Sequence, residues 1–467
     1  MPSIFQQRIV SGDLSGLPDI DVEQLGRLAK RVGTLEPFAC RERVAKAKTS
    51  LQDAVLDRIN VSIAVRMSRE KLSRDLMELV VELLAKKQIP LNGPERHELI
   101  KQLLDDMLAL GPLEPLLADD TVSEIMINGA NRVFIEQEGK VTLSDVVFRD
   151  QAHILAIATR IVSAIGRRVD ESSPICDARL ADGSRVNIIL PPLALDGPTI
   201  TIRKFSNKKI MLDTMVKLGS LSLPMAKLFH ILGQSRANIL ISGGTGSGKT
   251  TLLNALSQVI NVNERIVTIE DAAELQLQQP HVVRLETRPP NLEGRGEVTM
   301  RDLLRNALRM RPDRIIVGET RGGEALDMLQ AMNTGHDGSL STVHANRPPE
   351  ALMRIENMVG LATSNLSSAA IRQQIASAVD IIIQVCRMRD GSRRITHISE
   401  VTGIENGTIT LQDLFVAEIA GEDENGRLDI AFTQKGFPER CLSKIAYAGL
   451  DKQLQEAMTD GSKIAAA

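Results

Sequence analysis

Eight consecutive residues, GGTGSGKT at positions 243–250, constrain the fold of this chain more than any other feature. They match the pattern G-x-x-x-x-G-K-[ST], in which glycines let backbone N–H groups wrap around phosphate oxygens. The apolar run at 237–242 predicts a buried strand before the octet, and the pattern from residue 251 predicts an amphipathic helix after it. Strand, glycine-rich loop and helix in this order predict an α/β domain whose loop binds the phosphates of ATP.

The spacing within the loop predicts a role for individual side chains. Lys249 is expected to reach the β- and γ-phosphates, and Thr250 is expected to offer its hydroxyl to Mg²⁺. ATP and Mg²⁺ are therefore the predicted cofactors. The residues expected to hold the nucleotide are Gly243, Gly244, Thr245, Gly246, Ser247, Gly248, Lys249, Thr250 and Thr251.

Length and composition narrow the class of protein. The chain has 467 residues, too many for one compact core, and its net charge of −3 gives no reason to expect a nucleic-acid partner. It has no Trp and one Tyr, which disfavours stacking on single strands, and its four cysteines form no CxxC pair that would suit zinc. The sequence holds no apolar run of the ~18 residues that a membrane span requires.

Periodicity and breaks predict several units along the chain. The segments before the loop are expected to be helical first and mixed α+β with an antiparallel sheet later, and the loop domain itself alternates strands with helices, which is typical of a parallel sheet. The predicted divisions are a flexible leader (1–40), a helical bundle (41–110), an α+β domain (111–205), a linker (206–219), the ATPase domain (220–403) and a C-terminal extension of short strands with an amphipathic end (404–467).

Hydrolysis needs an acid on the metal side of the site and a way to activate water. The run RPDRIIVGE at 311–319 is an apolar strand that ends in Glu319, the layout of a Walker B motif, although Gly318 stands where many such enzymes carry Asp. A second apolar strand ends in Glu270. Either Glu319 contacts Mg²⁺ and Glu270 is the general base, or Glu319 itself polarises the attacking water.

Histidines and arginines complete the candidate site. The segment 335–346 holds His336, flanked by Gly335 and Asp337 and expected to sense the γ-phosphate or bond a carboxylate, and His344, which follows a predicted strand and is either structural or a nucleotide contact. Arginines ahead of the linker are candidate arginine fingers. These are Arg179, Arg185 and Arg203. A stripe at 301, 305 and 309 suits a solvated helix face or a subunit contact.

These motifs, in this order, resemble those of the secretion-ATPase superfamily that powers type II and type IV secretion and type IV pili. The strand that ends in Glu270 is similar to the Asp box of that superfamily, 317–319 to its atypical Walker B and 335–346 to its His box. The segments GPLEPLL, EIMING, ADGSRVN and TIRK are similar to the CpaF/TadA branch, which drives tight-adherence pili; they begin at residues 111, 124, 181 and 201.

The resemblance, which spans about residues 45–450, implies a cytoplasmic homo-hexameric ring at the inner face of the bacterial inner membrane. Each subunit would carry a helical bundle, a PAS-like domain and a RecA-like motor domain, with nucleotide between the last two. It also implies that Arg185 and Arg203 contact the phosphates, and that the ring works through inner-membrane pilus platform proteins. The absence of a tetracysteine motif disfavours the type II branch.

The resulting prediction is an ATP-hydrolysing motor for assembly, and possibly retraction, of a tight-adherence pilus. A type IV secretion ATPase of the conjugative or effector kind shares all four motifs and is the alternative. A nucleotide-dependent assembly switch with slow turnover is a third reading, and a DNA motor is disfavoured by the charge and the few aromatic residues.

Overall fold

The computed structural model describes residues 69–464 apart from 109, 138, 206–209, 291–293, 364 and 425, together with 43, 44, 46–51, 54, 55, 58 and 59. The predicted leader at 1–40 and much of the predicted helix at 45–67 lie outside the described residues. The chain forms two units, one containing the described residues up to Leu180 and Val186–Lys204, and the other containing Ala181–Arg185 and the residues from Phe205 onward.

The first unit opens with helices and continues with a sheet. The helices are α1 (Arg69–Lys86), α2 (Gly93–Leu108) and, after a 3-10 turn at Gly111–Leu113, α3 (Glu114–Ala118). α1 and α2 bury apolar residues together with helical residues at 43–58, and Glu95 of α2 accepts a hydrogen bond from Arg43 at 2.8 Å. This helical cluster is consistent with the apolar spacing of three and four residues in the sequence.

A six-stranded sheet follows in the first unit, with spatial order β3-β2-β1-β6-β5-β4. Its elements are β1 (Val122–Asn128), β2 (Val133–Gln137), β3 (Lys140–Leu143), α4 (Gln151–Ala164), β4 (Ile175–Arg179), β5 (Arg185–Ile189) and β6 (Thr199–Arg203). β1 pairs antiparallel with β2 and β6, and Ile125 and Ile127 of β1 are fully buried. Asp150 begins α4 by accepting the backbone N–H of His153 at 2.7 Å.

The second unit is built on a nine-stranded sheet with spatial order β15-β14-β13-β12-β7-β11-β10-β8-β9. The strands are β7 (Ile239–Gly243), β8 (Ile266–Glu270), β9 (Val282–Glu286), β10 (Arg314–Val317), β11 (Leu340–Val343), β12 (Ile381–Arg387), β13 (Arg393–Glu405), β14 (Thr408–Glu422) and β15 (Leu428–Gln434). Pairing is parallel from β12 through β7, β11, β10 and β8 to β9, and antiparallel from β12 to β15. The sheet is therefore mixed, whereas the sequence analysis expected a parallel one.

Helices cover both faces of the parallel strands. They are α5 (Leu212–Lys217), α6 (Leu223–Gln234), α7 (Lys249–Ser257), α8 (Met300–Ala307), α9 (Glu324–Asn333), α10 (Pro348–Ala362), α11 (Ser368–Ala378), α12 (Leu442–Tyr447) and α13 (Asp451–Ile464). In β7, Ile239 and Ile241 face a core with α6, α7 and α13, whereas Leu240 faces a core with α8 to α11. Because side chains alternate across a strand, burial on both faces requires the unbroken apolar runs seen in the sequence.

Two predicted boundaries of the second unit differ from the observed elements. Residue 403 lies inside β13, and the strands of the predicted C-terminal extension continue the central sheet instead of forming a separate set of short strands. The predicted linker at 206–219 contains α5 in its described part. Long β13 and β14 are polar or half-buried over much of their length, so their alternation is weak in the sequence. None of the described helices has the length and apolar character of a membrane span.

Candidate nucleotide site

The glycine-rich loop connects β7 to α7, and its backbone requires glycine at several positions. Gly246 and Gly248 have φ values of 69° and 100°, in the left-handed region that disfavours other residues. A Cβ on Gly243 would lie 2.5 Å from Ser247 Oγ and 2.5 Å from the carbonyl oxygen of Val385. The loop is thus packed against β12 and shaped so that backbone N–H groups at the start of α7 can meet an anion.

Lys249, the first residue of α7, is held beside the loop. Its Nζ donates to the carbonyl oxygens of Gly243 and Gly244 at 3.1 and 3.0 Å. The same ammonium lies 3.4 Å from Nε2 and 3.5 Å from Nδ1 of His344. Lys249 is only 9% exposed, so its charge is held against the loop and away from solvent.

Glu319, His344 and Arg321 form a cluster next to this lysine. Nε2 of His344 lies 2.7 Å from Oε1 of Glu319, and Nη2 of Arg321 donates to the other carboxylate oxygen at 2.6 Å. β10 and β11 are adjacent parallel strands, and Glu319 and His344 follow their carboxyl ends. The cluster therefore lies at the sheet edge where β7 delivers the phosphate-binding loop.

The charges of this cluster decide its protonation. Burial opposes ionisation of Glu319, but the hydrogen bond from Arg321 and the positive charges nearby outweigh it and lower the pKa of the carboxyl. Burial, followed by the charge of Lys249, lowers the pKa of His344, with Glu319 opposing. Glu319 is thus an anion at neutral pH and His344 a neutral imidazole, whose ring nitrogens lie between the carboxylate and the ammonium of Lys249.

Glu270 ends β8, the strand beside β10, and differs from Glu319 in its surroundings. It is 3% exposed, and its Oε2 accepts the backbone N–H groups of Glu274 and Leu275 at 2.7 and 2.9 Å. Its Oε1 is buried without a hydrogen-bond partner among the described residues. Burial raises the pKa of Glu270 to about 7 despite the two backbone donors. A carboxyl with a pKa near 7 and one unused oxygen suits a general base.

The glycine at position 318 has a steric explanation. A Cβ there would lie 2.8 Å from Cγ of Glu270. The Asp that many P-loop enzymes carry at this position would therefore displace Glu270 from its place against β10. Gly318 and Glu270 fit as a pair, and Glu319 lies near enough to Lys249 for the charge of the lysine to help lower its pKa.

The two histidines of the segment 335–346 lie at opposite ends of β11. His336 precedes the strand, where Ser339 donates to its carbonyl oxygen at 2.7 Å and Gly338 meets Asn238 at the amino end of β7. Four strand residues, about 13 Å, separate it from the phosphate-loop edge. The structure therefore brings His344, not the predicted catalytic His336, to the loop.

The predicted arginine fingers differ in their location and in the partners of their side chains. Arg185, the first residue of β5, belongs to the second unit, whereas the rest of that strand belongs to the first. Its Nη1 donates to Glu274, which lies four residues after Glu270, at 2.7 Å. Arg203 is exposed in β6 of the first unit, opposite Glu124 of β1, and Arg179 ends β4. In the stripe on α8, Arg301 and Arg305 both donate to Asp327 of α9, so those two hold helices together.

Two arginines at the loop were not singled out from the sequence. Arg321 pairs with Glu319 as described, and its position two residues after a strand-end carboxylate is the signal that could have found it. Nε of Arg393, at the start of β13, donates to the carbonyl oxygen of Gly246 at 3.0 Å. Its distance of 147 residues from the loop left no local signal in the sequence.

The residues present fit a nucleotide with Mg²⁺. The described residues contain no cluster of three or more His, Cys, Asp or Glu side chains able to hold a metal by themselves. Mg²⁺ at phosphates is commonly held by one or two protein groups, water and phosphate oxygens, so one hydroxyl and one carboxylate suffice. Thr250, half-buried in the first turn of α7, and Glu319 would supply them, and the ion would offset charge on the phosphates.

Comparison with known proteins identifies the family of this chain. Residues 106–431 match the family model described as type II/IV secretion system protein. A putative conjugal transfer protein of Mycobacterium tuberculosis is 39% identical over 306 residues, which cover 64% of this chain and 86% of the relative. The conjugal transfer protein TrbB of Rhizobium radiobacter is 37% identical over 294 residues, covering 62% and 87%.

A solved structure of the VirB11 ATPase from the Brucella suis type IV secretion system is 29% identical, covering 62% of this chain and 96% of that one, with a TM-score of 0.34. The match to the family model at residues 106–431 shows the family. The match covers most of the chain and includes the phosphate loop, Glu270, Glu319 and His344. The chain belongs to the type II/IV secretion system protein family.

Proposed function

We propose that this protein hydrolyses ATP and acts as the motor of a type IV secretion apparatus of the conjugal-transfer kind. The observation that carries the enzymatic part is the convergence of Lys249, Glu319, His344 and Glu270 at one edge of the parallel sheet. Strand-end carboxylates beside a phosphate loop supply the acid and base that phosphoryl transfer to water needs.

In the proposed reaction, water attacks the γ-phosphorus of ATP and the bond to the β–γ bridging oxygen breaks, which gives ADP and inorganic phosphate. The unused Oε1 of Glu270 accepts the proton of the attacking water. Lys249 binds the β- and γ-phosphate oxygens after releasing the loop carbonyls. Glu319 and Thr250 would hold Mg²⁺, which would offset charge on the phosphates, and His344, 2.7 Å from Glu319, would fix the orientation of that carboxylate.

The names of the relatives support a type IV secretion apparatus. Those most similar in sequence include conjugal transfer proteins and the VirB11 proteins of type IV secretion systems. This favours the alternative of the sequence analysis over the tight-adherence pilus. We further propose a homo-hexameric ring that docks on inner-membrane components of the apparatus, with Arg185 or Arg203 contacting the phosphates when nucleotide is bound.

The test of the enzymatic proposal is steady-state release of phosphate by the full chain and by Lys249→Ala. We expect turnover in the wild type, stimulated by membrane partners, and loss of turnover in the variant with its oligomeric state unchanged. Turnover that survives in Lys249→Ala would overturn the proposed site. Binding of ATP with no hydrolysis, with or without partners, would support an assembly switch instead.

A tight-adherence pilus motor is the second candidate, and one observation favours it. Helix α1 and most of α2 lie before residue 106, outside the family match, and the resemblance to the CpaF/TadA branch includes such a helical segment. A host lacking this chain and complemented with wild type or Lys249→Ala would separate the two. Loss of plasmid or protein transfer with surface pili intact supports the secretion motor, and the reverse supports the pilus motor.

A further inference from the structure

A cavity of about 400 Å³ adjoins the phosphate-binding loop within the second unit. One wall is the first half of the loop, Gly244 and Thr245, together with His344. The helix α10 also lines the cavity and contributes Arg354. The proposed roles of Lys249, Glu319 and Glu270 leave this cavity and this arginine unused.

The cavity borders the first half of the loop and His344, and the γ-phosphate of a bound nucleotide would extend toward it. The N–H groups at the start of α7 meet the inner phosphates, and the loop lysine reaches the β- and γ-phosphates. Nζ of Lys249 is bonded to the carbonyl of Gly244 and lies 3.4 Å from Nε2 of His344. Gly244 and His344 are both walls of the cavity, so the lysine marks the side of the loop on which the γ-phosphate leaves it.

Arg354 is placed to meet that phosphate. It is exposed on α10, one turn after Glu350, and no hydrogen bond or ion pair joins the two in the described part of the chain. Glu350 instead accepts the backbone N–H of Asn346 at 3.2 Å. The charge of Arg354 reaches the site, since it contributes, after burial and the charge of Lys249, to lowering the pKa of His344.

We propose that Arg354 binds the γ-phosphate of ATP from within the same subunit, so that the site distinguishes ATP from ADP. A guanidinium forms paired hydrogen bonds with phosphate oxygens and stays charged at all physiological pH values. ADP has no group that reaches the cavity and would not engage Arg354. The proposal deepens the proposed function and depends on the binding of ATP at this loop.

The test compares binding of ATPγS and ADP, each with Mg²⁺, to the full-length wild type, Arg354→Ala and Arg354→Lys. We expect Arg354→Ala to weaken the binding of ATPγS about tenfold or more, because a charge-assisted contact is lost, and to leave the affinity for ADP unchanged. The affinity of Arg354→Lys for ATPγS should lie between those of the wild type and Arg354→Ala, because lysine keeps the charge and loses the planar guanidinium. Arg347→Ala is the matched control, since Arg347 is exposed at the start of the same helix and makes no side-chain cap.

The ADP measurement separates a phosphate contact from a structural role. Equal weakening of both nucleotides, or no change in either, would overturn the role of Arg354 while leaving the proposed function intact. A change of oligomeric state in Arg354→Ala with the ATPγS to ADP ratio preserved would overturn it too. Wild-type protein that binds neither nucleotide would overturn both proposals.

Discussion

Nε2 of His344 lies 2.7 Å from Oε1 of Glu319, and the same ring lies within 3.5 Å of Nζ of Lys249. The imidazole thus stands between the carboxylate that follows β10 and the lysine that begins α7. Both neighbours are charged, and His344 is kept neutral by burial and by the lysine. This contact links the histidine-rich segment to the phosphate loop.

Replacing His344 tests the link. We expect His344→Ala to reduce kcat for ATP hydrolysis about 10- to 100-fold, the usual cost of losing a group that orients a metal-side ligand. His336→Ala is the matched control and should retain nearly full turnover, because His336 lies at the other end of β11. Phosphate release under saturating ATP measures both. Equal losses in the two variants would contradict the assignment.

The raised pKa of Glu270 predicts a pH dependence of the rate. As general base the carboxylate must be ionised, so kcat should rise as pH increases through about 7. Glu270→Gln should lower kcat about 10²- to 10⁴-fold and keep ATP affinity. Rate profiles from pH 5.5 to 8.5 check this. A rate that is flat across that range would argue against Glu270 as the base.

The same shift predicts a dependence of stability on pH. The folded-state pKa of Glu270 is above its ordinary value of 4.5, so the native state binds more protons than the unfolded state between 4.5 and about 7. Glu270 therefore makes the free energy of unfolding fall as pH rises through that window. Urea titrations at several pH values should show a smaller fall in Glu270→Gln. A larger fall of the free energy of unfolding in Glu270→Gln than in the wild type would contradict this prediction.

Gly318→Ala tests the pairing of Gly318 with Glu270. The added Cβ would lie 2.8 Å from Cγ of Glu270 and would push the carboxylate away from its backbone donors. A displacement of this size at a reacting group is expected to lower kcat by about 100-fold, with ATP binding preserved. Gly360→Ala in α10 is the control, since its Cβ would meet no atom within 4 Å. An active Gly318→Ala would show that Glu270 has room to move.

A buried ion pair at the amino end of β10 predicts a large effect on stability. The side chain of Arg314 is 1% exposed and donates to Glu264 at 2.7 and 2.9 Å. Among the described residues, Arg314→Met leaves that carboxylate with Arg236 as its one ion-pair partner, and we expect the free energy of unfolding to fall by about 3 kcal/mol. Urea unfolding measures it. The exposed pair of Arg58 and Glu82 is the comparison, and Glu82→Gln should change stability little.

Some of the architecture was predictable because the signals are local. The strands at Ile239–Gly243 and Arg314–Val317 coincide with the apolar runs predicted at 237–242 and 311–319, since each is a short apolar run beside turn residues. The phosphate loop was predictable because its glycines and lysine are consecutive. By contrast, β13 and β14 carry half-buried side chains over long stretches, and their membership of the central sheet has no local signature.

The sequence by itself determined the phosphate-binding loop and the carboxylates that end two strands, because their spacing is set within a few residues. Only the tertiary structure decided which groups meet. His344 and not His336 reaches the loop because β11 runs parallel to β7 and carries one histidine to each end. Glu270 acquires its high pKa from burial beside Gly318, and Arg354 reaches the cavity because α10 folds back beside the loop. Such contacts join residues far apart in the chain, and chain folding alone sets them.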